Sequence, residues 1–215
     1  KPKKILKKYP LYLWPCTKKE RLISKNLIIY ECNNCKLIQL QRFKEKFIKI
    51  FNSQSEHILT DKKKLLERIS LIKKNVKNYK KNCFLEIGGG RNSILKSFKG
   101  INGYISDLTF KNKEKNFRYI KKDFLKTKFK KNFFDYIFFF HTLEHIENPG
   151  IFLNKVRENL KHSGFVILEV PNINYHIKNN SSYAFFFQHQ SLFNLKSLTN
   201  IMNLNGFKFV KLLNN

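Results

Sequence analysis

Acidic residues are scarce in this chain. Its 43 lysines and arginines face only 15 aspartates and glutamates, a formal net charge of +28 over 215 residues. There is one methionine, one tryptophan and no apolar run of about 18 residues, so no membrane-crossing helix is expected. The opening Lys-Pro-Lys-Lys-Ile-Leu-Lys-Lys has no apolar core behind it, and a secretory signal is not expected either. The chain begins on Lys1 rather than Met, which points to an earlier start. Four cysteines (Cys16, Cys32, Cys35, Cys83) make no spaced disulfide framework and suggest a reducing, cytoplasmic setting. Arginine is sparse too, with six residues and none adjacent to another. A nucleic-acid groove concentrates arginine. Lysine spread end to end, with heavy Asn, Ile and Phe usage, reads instead as compositional drift, and an anionic small substrate fits either reading.

The most informative stretch runs from Cys83 to Asn92, Cys-Phe-Leu-Glu-Ile-Gly-Gly-Gly-Arg-Asn. Residues 83–87 have the length and apolarity of a buried strand. Three glycines follow, and Ser93 to Phe98 reads as the start of a helix. Such a strand–turn–helix brings backbone N–H groups close to a ligand above the sheet edge, where a Cβ would obstruct both turn and ligand. From there strands and helices alternate, which predicts an α/β fold with a mostly parallel sheet and helices on both faces. Strands are expected at 83–87, 103–107, 118–121, 135–140, 165–170 and 207–213. Helices are expected over 56–80, with Leu65, Ile69, Ile72 and Val76 at helical spacing, over Pro149 to His162, and over 195–205 before Gly206. In the second, Asn148 suits the N-cap, Pro149 the first turn, and Phe152, Val156 and Leu160 the buried stripe.

Residues 1–55 differ from 56–215 and form a small N-terminal appendage in this reading. Tyr9 to Cys16 is proline-punctuated and aromatic, hence extended and turn-rich. Leu27–Tyr30 and Leu37–Leu40 flank Cys32-Asn-Asn-Cys35 as two short strands around a tight turn.

Acids close the strands that follow the glycine turn. Asp107 ends Gly103-Tyr-Ile-Ser-Asp, the position at which an acid accepts hydrogen bonds from ribose hydroxyls in nucleotide-binding sheets. Asp123 ends Tyr119-Ile-Lys-Lys-Asp and is followed by Phe124, an acid and a ring that could grip a purine. With these motifs in order, residues 83–210 resemble the class I S-adenosylmethionine-dependent methyltransferases, which have a Rossmann-like fold. Leu85-Glu-Ile-Gly-Gly-Gly90 looks like their first motif, with Asn92 where the last glycine usually stands. Phe134 to Pro149 is similar to the fourth-strand motif of the subgroup acting on small molecules, and Leu160 to Asn172 to the fifth-strand motif.

The resemblance implies S-adenosylmethionine as cofactor. Glu86 would lie beneath its methionine portion, Gly88, Gly89 and Gly90 would line it, Asp107 with Leu108 would hold the ribose, Asp123 and Phe124 the adenine, and His141 would sit beside the reacting end. Methyl transfer by in-line displacement depends on alignment, with a base where the nucleophile carries a proton. Gln188-His-Gln-Ser-Leu-Phe-Asn194 resembles a segment of the sugar-modifying members, so His189 is the candidate base and His145 a second candidate. Gln188 stands where those members carry an acid.

Cys16, Cys32 and Cys35 are similar to part of an N-terminal zinc module of some sugar C-methyltransferases. Structural zinc needs four ligands, neither Leu13 nor Lys19 supplies one, and no His precedes His57, so no metal site is assigned. The usual seventh strand has no residues left, which points to a fragment, a shortened member or a substituting segment. The expected function is methyl transfer to a small-molecule acceptor, best matched by a nucleotide-activated sugar or surface-glycan precursor. The tract 172–187 would be the acceptor-side lid. The alternatives are an RNA methyltransferase and a non-catalytic partner protein of the same fold.

Overall fold

The computed structural model describes residues 3–10, 26–40, 62–76, 78–90, 93–108, 117–179 and 189–213. They fall into two compact units. One comprises residues 57–142, 151–169 and 210–215, and the other residues 1–56, 143–150 and 170–209.

The first unit holds the parallel sheet. Its strands are β4 (Cys83–Ile87), β5 (Asn102–Asp107), β6 (Arg118–Lys121), β7 (Phe134–Phe140) and β8 (Leu160–Glu169), in the order β6-β5-β4-β7-β8. Every pairing is parallel. The chain winds outward one way from β4 through β5 to β6, then returns to the other side of β4 with β7 and β8. The carboxyl ends of β4 and β7 therefore flank the switch point, where such sheets bind ligands. Strand β4 is buried at all five positions, as its apolar run predicts. Helix α1 (Lys62–Asn75) is shorter than the expected 56–80, of which 56–61 and 77 lie outside the described residues. Its Ile69 and Ile72, with the following Val76, pack into one apolar cluster with Phe84, Ile94, Leu95, Ile105 and Phe138, and Leu65 lies against it.

Helix α2 (Pro149–Asn159) starts at the expected proline and buries Phe152, Leu153 and Val156. It stops three residues short of His162 because Leu160 already pairs with Phe134 as the first residue of β8. Gly164 therefore lies inside a strand, where a Cβ would come within 2.8 Å of Leu160 Cγ and 3.0 Å of the Asp135 carbonyl oxygen. The stretch after the glycine turn is a single 3₁₀ turn, Ile94–Ser97, and not an α-helix. The expected strand 207–213 is absent, and these residues carry neither strand nor helix.

The second unit contains an antiparallel sheet, β1 (Lys3–Pro10), β2 (Asn26–Cys32), β3 (Ile38–Leu40) and β9 (Ser191–Leu192), in that order. The hairpin around Cys32 to Cys35 is present. Ile29, Tyr30 and Glu31 pair with Leu40, Gln39 and Ile38, and Lys36 takes the left-handed φ of 60° that closes the turn. Strand β3 then pairs with β9, so the N-terminal hairpin recruits a segment from the far end of the chain. Residues 11–16 of the aromatic stretch, with Leu13, Cys16 and Lys19, lie outside the described residues. Helix α3 (Ile173–Lys178) and helix α4 (Leu195–Leu204) complete this unit. Asn194 and Ser197 form a capping box at the start of α4. At its end the Gly206 N–H donates to Asn203 and the Phe207 N–H to Met202, with Gly206 at φ 82°.

Candidate active site

The glycine turn at the end of β4 is held from below by Glu86. Its carboxylate, only 2% exposed, accepts hydrogen bonds from Ser93 Oγ (2.5 Å), the Ile94 N–H (3.1 Å) and the Leu95 N–H (3.2 Å). Burial pushes its pKa up, while these three donors pull it down. The net direction is up, burial outweighing the donors, and the Ser93 hydroxyl can either donate to a carboxylate or accept from a protonated acid. The carboxylate thereby ties the strand end to the 3₁₀ turn that follows it.

Gly88 and Gly90 adopt φ of 74° and 47°, which a β-substituted residue takes only under strain. A Cβ on Gly88 would lie 2.4 Å from Thr142 Oγ1. That hydroxyl donates to the carbonyls of Ile87 (3.2 Å) and Phe140 (3.1 Å), joining the ends of β4 and β7 at the switch point. A Cβ on Gly90 would lie 3.4 Å from Asp107 Oδ2, so a side chain there would fill the space between the turn and the acid. Gly89 rests on Glu86, whose Cδ would be 2.8 Å from an added Cβ. The turn and Asp107 thus form a backbone-lined cradle with one carboxylate at its rim, a shape and chemistry that fit a ribose-bearing cofactor. Leu108 beside it is 66% exposed. Asn92 lies outside the described residues.

Asp123 accepts a hydrogen bond from the Leu125 N–H at 2.9 Å and caps the 3₁₀ turn Phe124–Lys126. Phe124 is 4% exposed and packs edge-on against Phe152, with Lys155 Nζ 5.3 Å from its ring centre. Its ring supports the Asp123 turn from beneath and offers no open face. Lys155 donates to the carbonyls of Leu125 and Thr127, both at 2.7 Å, and its pKa is lowered by burial.

Sequence reasoning missed the partners of His141. This residue has φ 47°, an unusual conformation for a side-chain-bearing residue and one that clusters at functional sites. Its N–H donates to the Glu169 carbonyl at 2.9 Å, and its Nε2 lies 2.9 Å from Glu169 Oε1 and 3.0 Å from Arg68 Nη2. Arg68 also grips Glu169 bidentately, with both distances 2.6 Å. Burial alone would raise the Glu169 pKa, but the hydrogen bonds and charges of His141 and Arg68 outweigh it and hold the carboxyl at about 2. Arg68 stands 101 positions from Glu169, with no local motif to link them.

In the other unit, His145 and His189 come together although 44 positions separate them in the sequence. Their ring centres are 5.0 Å apart. His189 is 3% and Glu144 1% exposed, and His145 Nε2 lies 4.0 Å from Glu144 Oε1. The arrangement is set by backbone hydrogen bonds. The Gln190 N–H donates to the Glu144 carbonyl at 2.7 Å, and the Gln190 carbonyl accepts from the Leu40 N–H at 3.1 Å. Glu144 carried no role in the sequence reading, and Gln188 lies outside the described residues. Cys35 and Cys83 are buried, and burial raises both thiols, Cys83 to about 11. Neither belongs to a metal-ligand cluster among the described residues.

Comparison with solved structures places this architecture among methyltransferases. The chain is similar to a SAM-dependent methyltransferase from Archaeoglobus fulgidus, with TM-score 0.55 and 22% identity over 68% of this chain and 71% of that one. It is similar to a SAM-dependent methyltransferase from Thermotoga maritima, with TM-score 0.53 and 16% identity over 77% and 78%. It also matches the Haemonchus contortus phosphoethanolamine N-methyltransferase 2 held with S-adenosylhomocysteine, with TM-score 0.52 and 20% identity over 66% of this chain and 37% of that one. No curated protein matches in sequence. The methyltransferase-domain family matches residues 53–212, and the chain belongs to that family. It is a methyltransferase. No helix among the described residues is long and apolar enough to cross a membrane.

Proposed function

We propose that the chain methylates a small molecule whose accepting atom carries a proton, with a nucleotide-activated sugar or surface-glycan precursor as the acceptor class. The observation carrying this reading is the buried His189 beside Glu144 and His145, because an accepting hydroxyl must lose its proton during transfer. S-adenosylmethionine, when bound, supplies a methyl carbon on a positively charged sulfur. Gly88, Gly89 and Gly90 leave room for it, and Glu86 keeps their turn in shape through Ser93, Ile94 and Leu95. Asp107 accepts from the ribose hydroxyls with Leu108 alongside, and Asp123 serves the adenine amine from the turn that Phe124 supports. His141, fixed by Glu169 and Arg68, faces the methionine end. His189 takes the acceptor proton, with His145 as its neighbour. Buried thiols at Cys35 and Cys83 suit a reducing cytoplasm.

Calorimetric titration of the purified chain with S-adenosylmethionine and S-adenosylhomocysteine tests the donor half, and an acceptor screen opening with nucleotide sugars tests the rest. His189→Ala should lower turnover and leave S-adenosylhomocysteine affinity intact. Loss of both would make His189 structural. RNA that copurifies and binds with steep salt dependence would replace the small acceptor by RNA, a reading that the charge of +28 favours. A well-folded sample that binds no donor would point to a non-catalytic partner protein.

A further inference from the structure

Glu144, His145 and His189 form a group that the proton-transfer role does not exhaust. Each offers one ligand atom, and these atoms lie within 4.8 Å of one another. Two of the three residues are almost fully buried. With edges no longer than 4.8 Å, some point lies within about 2.8 Å of all three ligand atoms, against about 2.0–2.2 Å for zinc bonds to imidazole and carboxylate. Side-chain shifts of under about 1 Å therefore close the shell. The backbone behind it is fixed, since Gln190 bridges Glu144 and Leu40 and β9 is paired with β3.

We propose that Glu144, His145 and His189 bind a divalent transition-metal ion, through one carboxylate oxygen and two imidazole nitrogens. Two histidines and one carboxylate are the ligand set of open metal sites, which keep positions for water or a substrate oxygen. In the cation-bound form His189 is a ligand and no longer the base named above; the cation acidifies the acceptor hydroxyl, whose proton passes to solvent water. This acceptor role rests on the small-molecule reading above. Cation binding does not.

The test uses the full chain stripped with a chelator and titrated calorimetrically with zinc, followed by cobalt as a visible-absorption probe. One equivalent should bind. Glu144→Gln, which preserves shape, and His145→Asn, at the more exposed ligand, should each weaken binding by more than the roughly 10–100-fold that loss of an outer-shell partner costs. Circular dichroism confirms that each variant is folded, and His189→Ala serves as a third variant. No stoichiometric binding, or binding that these substitutions leave unchanged, overturns the site. S-adenosylhomocysteine titration of the same stripped sample separates the two proposals. Donor binding without cation binding sinks the metal site alone, and cation binding without donor binding sinks the methyl-transfer reading alone.

Discussion

Replacing Glu86 by glutamine asks whether the carboxylate beneath the glycine turn is charged. The side chain keeps its size, so packing is preserved, but an amide has one oxygen where the carboxylate has two. With that oxygen at the Oε2 position, the bonds from Ser93 Oγ and the Leu95 N–H survive. The amide nitrogen then faces the Ile94 N–H, and a donor meets a donor. A buried donor left unsatisfied costs about 1–3 kcal/mol, and weakening two charge-assisted bonds to neutral ones costs about 1 kcal/mol each. Relief of a buried charge offsets part of this. The net loss is about 2–4 kcal/mol, which in a chain of this size lowers Tm by roughly 4–15 °C. Thermal unfolding at neutral pH, followed by circular dichroism, measures it. An unchanged Tm would refute the reasoning, because glutamine mimics a protonated acid and would reveal that Glu86 is neutral in the folded chain.

Three further outcomes are expected. Gly88→Val should abolish S-adenosylhomocysteine binding, since its Cβ would sit 2.4 Å from Thr142 Oγ1. Gly100→Ala is the control, with a similar φ of 73° but no atom within 4 Å of its added Cβ. It should lose about 1 kcal/mol of stability and keep binding, and wild-type affinity in Gly88→Val would disprove the clash. Asp107→Ala should weaken donor binding by about 1–3 kcal/mol, and an unaffected titration would remove Asp107 from the ribose site. The folded-state pKa of Glu169, about 2, lies below its ordinary 4.5, so its contribution is full above pH 4.5 and fades as pH falls toward 2. Its side chain is about a third exposed, so Arg68→Ala should cost only about 1–2 kcal/mol at neutral pH. That difference from wild type should shrink between pH 4.5 and 2 in urea unfolding. A constant difference would mean that Arg68 stabilises by packing alone.

The parallel sheet was legible chiefly because β4 and β7 are local apolar runs. Cys83–Ile87 and Arg118–Lys121 lie where their composition put them. The glycine turn and Asp107 could be read together because they end two consecutive, adjacent parallel strands, β4 and β5. Residues 207–213 alternate like a strand, yet alternation cannot supply a neighbour to pair with. Helix α2 is shorter than its apolar stripe predicts because Leu160 suits a helical stripe and a strand equally, and the Phe134 pairing decides. The contacts of Arg68 with Glu169, and of β3 with β9, join distant positions without a local signature. His145 and His189 are expected individually as candidate bases, but their meeting with each other and with Glu144 has no local signal, since a carboxylate in an acid-poor chain reads as solvated until its burial is known.

The pairing of β3 with β9 also has a bearing on how the protein is made. Ile38 meets Leu192 and Gln39 meets Ser191, so the β3 edge waits for a partner that lies 152 positions further along the chain. The β1–β2–β3 edge leaves the ribosome long before β9, exposing unpaired backbone during translation. Contacts of such sequence separation form slowly, so completion of this sheet is expected to be the late step of folding. His189 and Glu144, tied to this sheet through Gln190, can be locked in place only then.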